Sequence, residues 1–265
     1  STNGWIPNSD IVNAFDHTPP PTQKALVAFG QSGSGIVSLK NLISSSGVVA
    51  TDVTGVGQVR TLLGAATYGG DKAVFAYGNN DSSTYYSMSN LVNNSGVVAA
   101  DVTGVGTARL GLAATNYGTD KVIFGYGFSG GYLSMTNLAS NTGVVSADVT
   151  GVGTALTELS AAKYGSSGQA LFCYGENASA SFKNTRNLIS NTGVVASTVS
   201  GAGTARRLAA SSSYGGDKAI FAFGYPGSHV SLSNLISNSG VVAADTTGVG
   251  TARRGAAGAG FSASA

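Results

Sequence analysis

The chain has 265 residues, a formal charge of +2, 10% charged residues and 39 glycines. So weak a charge balance argues against a dedicated nucleic-acid binder, which carries a strongly basic stripe, and no apolar run approaches the ~20 residues that span a bilayer as a helix. Neither a basic n-region nor an apolar h-region opens the sequence, so no secretory signal is visible, and the single Cys173 excludes an internal disulfide framework.

Residues 1–23, STNGWIPNSDIVNAFDHTPPPTQ, stand apart from the rest of the chain. They carry Trp5, the only tryptophan, with Ile6, Ile11, Val12 and Phe15 spaced behind it. Pro19, Pro20 and Pro21 then force an extended spacer. Apolar anchors are costly in a solvated tail, so the segment reads as an extended docking arm that lies on another surface.

Residues 24–265 are five copies of one unit. A Gly-Val-Val mark starts at Gly47, Gly96, Gly143, Gly193 and Gly240. A second mark runs KALVAFG, KAVFAYG, KVIFGYG, QALFCYG and KAIFAFG, from Lys24, Lys72, Lys121, Gln169 and Lys218. A period of this size means a solenoid, a propeller or an array of one supersecondary unit. Residues present in every copy are structural by default; residues that break the pattern are the functional candidates.

Each copy holds four strand-like pieces. The first, residues 108–117 in the clearest copy, has small residues at its centre, as an inner strand crowded around an axis requires. The second, residues 121–127, is dense in β-branched and aromatic residues and follows a Gly-Asp type turn. The third ends in Asn-Leu in every copy. The fourth, VVSADVTG, follows an Asn/Ser-Ser/Thr-Gly turn. No helical periodicity of useful length is present. Four short antiparallel strands repeated five times predict an all-β, five-bladed β-propeller with four-stranded blades. The series enters at Lys24 on a second strand and leaves at residues 252–261 on a first strand, so the last strand should complete the first blade and remove two exposed edges.

The order of an arginine, an apolar inner strand, a tyrosine, a hairpin and a strand ending in aromatic-Gly resembles kelch repeats, without their double glycine and late tryptophan. Repeats of the form SNTGVVxxDVTGVGTAR…YGxDKAIFGYG also look like kelch-like repeat proteins of tailed bacteriophages. That resemblance implies a virion structural protein such as a fibre, tail or capsid appendage, with other virion proteins as partners of the arm and a place on the particle surface. It transfers no catalytic residue.

The acids do not form an enzyme site. Asp52, Asp101, Asp148 and Asp245 share one repeated place, and Asp71, Asp120 and Asp217 another, where turn and backbone hydrogen bonding accounts for them. Asp10, Asp16, Asp81, Glu158 and Glu176 do not repeat, and Glu158 alone falls on an inner strand. One central acid is short of the pair a glycosidase needs. His17 and His229 are isolated, so no metal centre, cofactor site or Ser-His-Asp set is expected. Cys173 replaces a small residue of the other copies and reads as a buried side chain.

The binding candidates are basic and aromatic. Arg60, Arg109, Arg206 and Arg253 share one place at the start of the inner strand, where the remaining copy has Leu156, and Arg207 and Arg254 add charge one step on. The connections between second and third strands vary most. They should gather Tyr85, Tyr86, Phe128, Tyr132, Phe182, Lys183, Arg186, Tyr225 and His229 on the same face as the arginines. Variable loops on a rigid scaffold are where binding usually lives. A host-surface glycan is the expected ligand; the arginines acting only as braces between blades is the alternative. A free lectin-like propeller and, behind it, a glycoside hydrolase are the competing functions.

Overall fold

The computed structural model describes residues 24–80 and 84–259. The arm residues Trp5, Ile6, Ile11, Val12 and Phe15 lie outside them. The described chain is all-β and forms six small antiparallel sheets.

Four of these are three-stranded and repeat one pattern. They are β5 (Gly64–Tyr68), β6 (Lys72–Ala76) and β7 (Ser89–Val92); β8 (Ala113–Tyr117), β9 (Lys121–Phe128) and β10 (Tyr132–Ala139); β11 (Ser160–Tyr164), β12 (Gln169–Cys173) and β13 (Arg186–Ile189); and β14 (Ala210–Tyr214), β15 (Lys218–Ala222) and β16 (Ser233–Ile236). In each, the second strand is central. The first unit supplies the pair β1 (Ala25–Ala28) and β4 (Lys40–Ile43), with a short hairpin of β2 (Gln31–Ser32) and β3 (Gly35–Ile36) between them.

The fourth strand-like piece is present in every unit, but only as two bridges to the third strand. In the unit of β10 these are Ala139 with Val145 and Thr136 with Val149. Between them the ladder is taken over by a side chain: Asn137 Nδ2 donates to the Ser146 carbonyl at 3.0 Å. Asn41, Asn90, Asn187 and Asn234 do the same to Ala50, Ala99, Ala196 and Ala243. This is why the third strand ends in Asn-Leu in every copy.

Neighbouring sheets pack through their first strands. β5 lies beside β8, β8 beside β11 and β11 beside β14. Small side chains allow this approach, and serines stitch it: Ser211 Oγ donates to the Ala161 carbonyl at 2.7 Å and Ser213 Oγ to that of Lys163 at 2.9 Å. The second strands β6, β9 and β12 are apolar without alternation because both faces are covered. Phe124, Phe172 and Phe221 are fully or almost fully buried, each meeting an aromatic ring of the preceding unit (Tyr77, Tyr126 and Tyr174) edge-on at 5.1–5.5 Å.

The first strands begin later than the sequence suggests, because residues 62, 111, 158, 208 and 255 all adopt φ between 53° and 65°. Gly111 and Gly255 take this left-handed turn freely. Glu158 and Leu208 take it because the backbone is held on both sides, and Leu62 is held through its carbonyl. Gly111 N donates to the Leu62 carbonyl, Glu158 N to Gly111, Leu208 N to Glu158 and Gly255 N to Leu208, at 2.8–3.0 Å. A belt of four hydrogen bonds thus links five equivalent residues. They and their neighbours line one cavity of about 180 Å³.

Candidate functional site

Three of the four repeated arginines are not on a surface. Arg60, Arg109 and Arg206 are 0% exposed. Each guanidinium lies over an aromatic ring of the preceding unit: Arg60 over Phe29 at 4.5 Å, Arg109 over Tyr77 at 4.1 Å and Arg206 over Tyr174 at 4.0 Å. Each donates to the asparagine of its own third strand: Arg60 to Asn90, Arg109 to Asn137 and Arg206 to Asn234. Each also faces a fourth-strand carboxylate, with Asp101 at 3.6 Å, Asp148 at 4.0 Å and Asp245 at 3.9 Å. The arrangement is a staple between units, in which one cation meets an aromatic ring, an amide and an acid.

Burial pushes Arg60 down to about 10, against the opposing pull of Asp101, so the group is still charged at neutral pH. Burial likewise lowers Arg109 and raises the Tyr77 phenol to about 12. Burial would raise Asp148 and Asp245, but hydrogen bonds from Thr107 and Asn137, and from Thr204 and Asn234, outweigh it and hold both carboxyls below the usual range. With no solvent-facing surface, these three guanidiniums offer a ligand nothing to touch. Arg253, over Phe223 at 3.6 Å, is the exposed member of the set.

The aromatic candidates gather in two clusters. Tyr85 meets Phe128 at 6.2 Å, and Phe128 meets Tyr132 at 5.4 Å. Tyr225 meets Phe182 at 6.0 Å and His229 at 5.6 Å. Tyr86 sits apart from both, its hydroxyl accepting from Asn80 Nδ2 at 3.1 Å and its carbonyl from the Arg109 amide. The second cluster holds a charged group. Arg207 Nη1 lies 2.5 Å from Glu158 Oε2 and 2.9 Å from Glu176 Oε2. Its guanidinium lies 5.7 Å from the Phe182 ring and 5.6 Å from that of Tyr225, while Arg254 lies 4.4 Å from Tyr225.

Sequence spacing treats Glu158 as a solitary central acid; the fold brings Glu176 onto the same nitrogen. The available signal was that Glu158 and Glu176 break the repeat within one unit, and that Arg207 stands where the three preceding copies have Thr61, Leu110 and Thr157. The two carboxylates are tied to a shared cation, which makes the group an ion-pair cluster rather than a free acid pair. Cys173 is buried and its thiol is pushed up to about 12 by that burial, which makes it inert as a nucleophile. Among the described residues no three potential metal-ligating side chains converge.

On the side of the Gly-Asp hairpins, a groove of about 430 Å³ runs between the units of β5 and β8. It is lined by Tyr68, Lys72, Leu91, Asn93, Val97 and Asn141 among others.

Compared with known proteins, the chain matches no family model, and no curated sequence matches it significantly.

Proposed function

We propose that this chain is a non-catalytic display scaffold, a kelch-like five-bladed β-propeller that serves as a structural component of a tailed-bacteriophage virion. Five equivalent strand starts around a shared cavity support the ring. The similarity of repeat style supports the fibre, tail or capsid-appendage setting. Residues 1–23 dock the protein onto other virion proteins, and the variable-loop face points outward to meet a host-surface glycan or to decorate the particle.

One observation carries the display role. The polar residues that recur between units are consumed in joining them, whereas the side chains that differ from unit to unit form the clusters of Tyr85, Phe128 and Tyr132 and of Phe182, Tyr225 and His229. Tyr85, Tyr132 and Tyr225 supply stacking surfaces for sugar rings.

The test is cryo-EM and protein mass spectrometry of particles complemented with the full chain or with a chain lacking residues 1–22. The full chain should appear at a fixed site on the particle, and the shortened chain should fold but fail to incorporate. Normal incorporation without residues 1–22 rules out the arm; absence of the full chain from particles rules out the virion role.

A second reading is favoured by the groove between the units of β5 and β8. Its tyrosine, asparagines and lysine suit a sugar, as in a free lectin. Glycan binding by the isolated protein that is lost on changing Asn93 and Asn141, with Tyr225→Ala silent, selects that reading. Glycan turnover abolished by Glu158→Gln would select a hydrolase instead.

A further inference from the structure

Two successive units place an arginine in the same way, and only one of the two is given an acid. The residue after the repeated arginine is Arg207 in one unit and Arg254 in the next, where the other copies have Thr61, Leu110 and Thr157. Both guanidiniums lie near one ring, that of Tyr225, at 5.6 Å for Arg207 and 4.4 Å for Arg254.

Arg207 draws its acids from the unit before it. Glu158 comes from the belt at the cavity, and Glu176 from the start of the connection between second and third strands. Their Oε2 atoms lie 2.5 Å and 2.9 Å from Nη1. Leu208 and Tyr225 fill the same two places in the unit before Arg254. Leu208 stands in the belt at φ 55°, as Glu158 does at 53°. Tyr225 bridges Arg207 as Glu176 bridges Thr157. Neither is a carboxylate. Both nearby acids are taken by Arg207, and no carboxylate among the described residues meets Arg254. Its side chain is exposed, as is that of His229, whose ring lies 5.6 Å from Tyr225.

We propose that Arg254 anchors the carboxylate of a ligand, in the place that Glu158 and Glu176 take on Arg207, and that the ligand is a carboxylated sugar of a glycan. This rests on the display reading and names the ligand class for its outward face. The junction at Arg207 is the filled form of the same site within the same molecule. A guanidinium suits the task because its planar fork can give two parallel hydrogen bonds to one carboxylate. Contact with the Tyr225 ring holds it in place before the ligand arrives, so less freedom is lost on binding. His229 stands beside it as a polar group for sugar hydroxyls. Size favours a sugar over a peptide. The adjoining cavity, lined by Leu208 and Gly255, holds about 180 Å³. That is below the ~300 Å³ at which drug-sized pockets begin, and it suits one ring better than an extended chain.

Calorimetric titration of the purified full chain tests the site. The probes are trigalacturonic acid and sialyllactose, each beside its methyl ester, with triglutamate as the peptide control. At least one acidic sugar should bind with one site per chain. Its methyl ester, which keeps the rings and removes the charge, should bind at least about tenfold more weakly, and so should the acid itself to Arg254→Gln. Tm of that variant should be unchanged, because the side chain joins no ion pair. Leu208→Glu places an acid of the protein's own where Glu158 stands in the preceding unit. It should block the sugar in a folded chain. Binding that survives Arg254→Gln or Leu208→Glu overturns the site, and so does equal binding of acid and ester. Tighter binding of triglutamate overturns the sugar in favour of an acidic peptide. Binding of none of the probes overturns the inference. The display reading is judged separately: Arg254→Gln should still be incorporated into particles, and a chain that is incorporated but takes no acidic sugar loses this inference alone.

Discussion

Leu156 and Thr198 occupy, within one unit, the two positions that hold Arg109 and Asp148 at 4.0 Å in the unit before it. The cation and its acid are lost together while the asparagine is kept, and Asn187 Nδ2 turns to Thr198 Oγ1 at 2.9 Å. Leu156 is buried with Tyr126 in an apolar cluster. The protein therefore contains both solutions to the same packing problem, one ionic and one apolar.

That pairing yields a stability prediction. Removing one member of a buried ion pair typically costs about 3–5 kcal/mol, because the other is left desolvated, whereas a well-packed apolar replacement of the whole pair is often neutral. Asp148 keeps part of its solvent contact, so its half of the penalty falls at the low end. Arg109→Leu alone should cost about 3 kcal/mol in urea unfolding by that reasoning. Arg109→Leu with Asp148→Thr, which copies the neighbouring unit, should recover at least half. If the double variant is as unstable as the single, the two residues do not act as a pair.

Acid should loosen the staples. Asp148 and Asp245 have folded carboxyls held below their ordinary value. Their contribution is fully present above the unfolded carboxyl value of about 3.9 and is lost as pH falls through the lower folded values. Tm should therefore drop on the acid side of about pH 4, and Asp148→Asn with Asp245→Asn should flatten that limb while lowering the plateau at neutral pH. An acid limb unchanged in the double variant would assign it to other carboxylates.

Cys173 reports on opening of the core. It is 1% exposed, and burial raises its thiol to about 12. A thiol reagent at neutral pH should modify it only at the rate of unfolding, with full reaction in denaturant. Rapid labelling of the native protein would mean that the second strand of its unit opens locally.

Much of this architecture is legible in the sequence because it is written five times. The Gly-Gly-Asp hairpin before Lys72 and the dense run from Lys121 locate β5–β6 and β8–β9 directly. The fourth piece is less legible: its valines suggest a full strand, but the Asn137 side chain replaces the middle of the ladder and leaves two bridges. The repeated arginines are harder still. A charged residue at a strand start reads as surface, and nothing local says that an aromatic ring from 32 residues earlier, Tyr77 under Arg109, will cover it. The clue lay in the set: after Arg60, Arg109 and Arg206 an asparagine and an acid follow at near-constant distance, and the unit with Leu156 lacks the acid too. Clustering of Glu158 with Glu176 and Arg207 depends on two connections meeting across a junction, which no single repeat encodes.

The belt at the cavity has one further consequence. Residues 62, 111, 158, 208 and 255 are leucine, glycine, glutamate, leucine and glycine, yet they share one backbone angle and are joined through main-chain atoms. Position there is set by the peptide and not by the side chain. The side chains at these five places can therefore differ from unit to unit, as leucine, glycine and glutamate do here, while the main-chain belt that joins them stays the same.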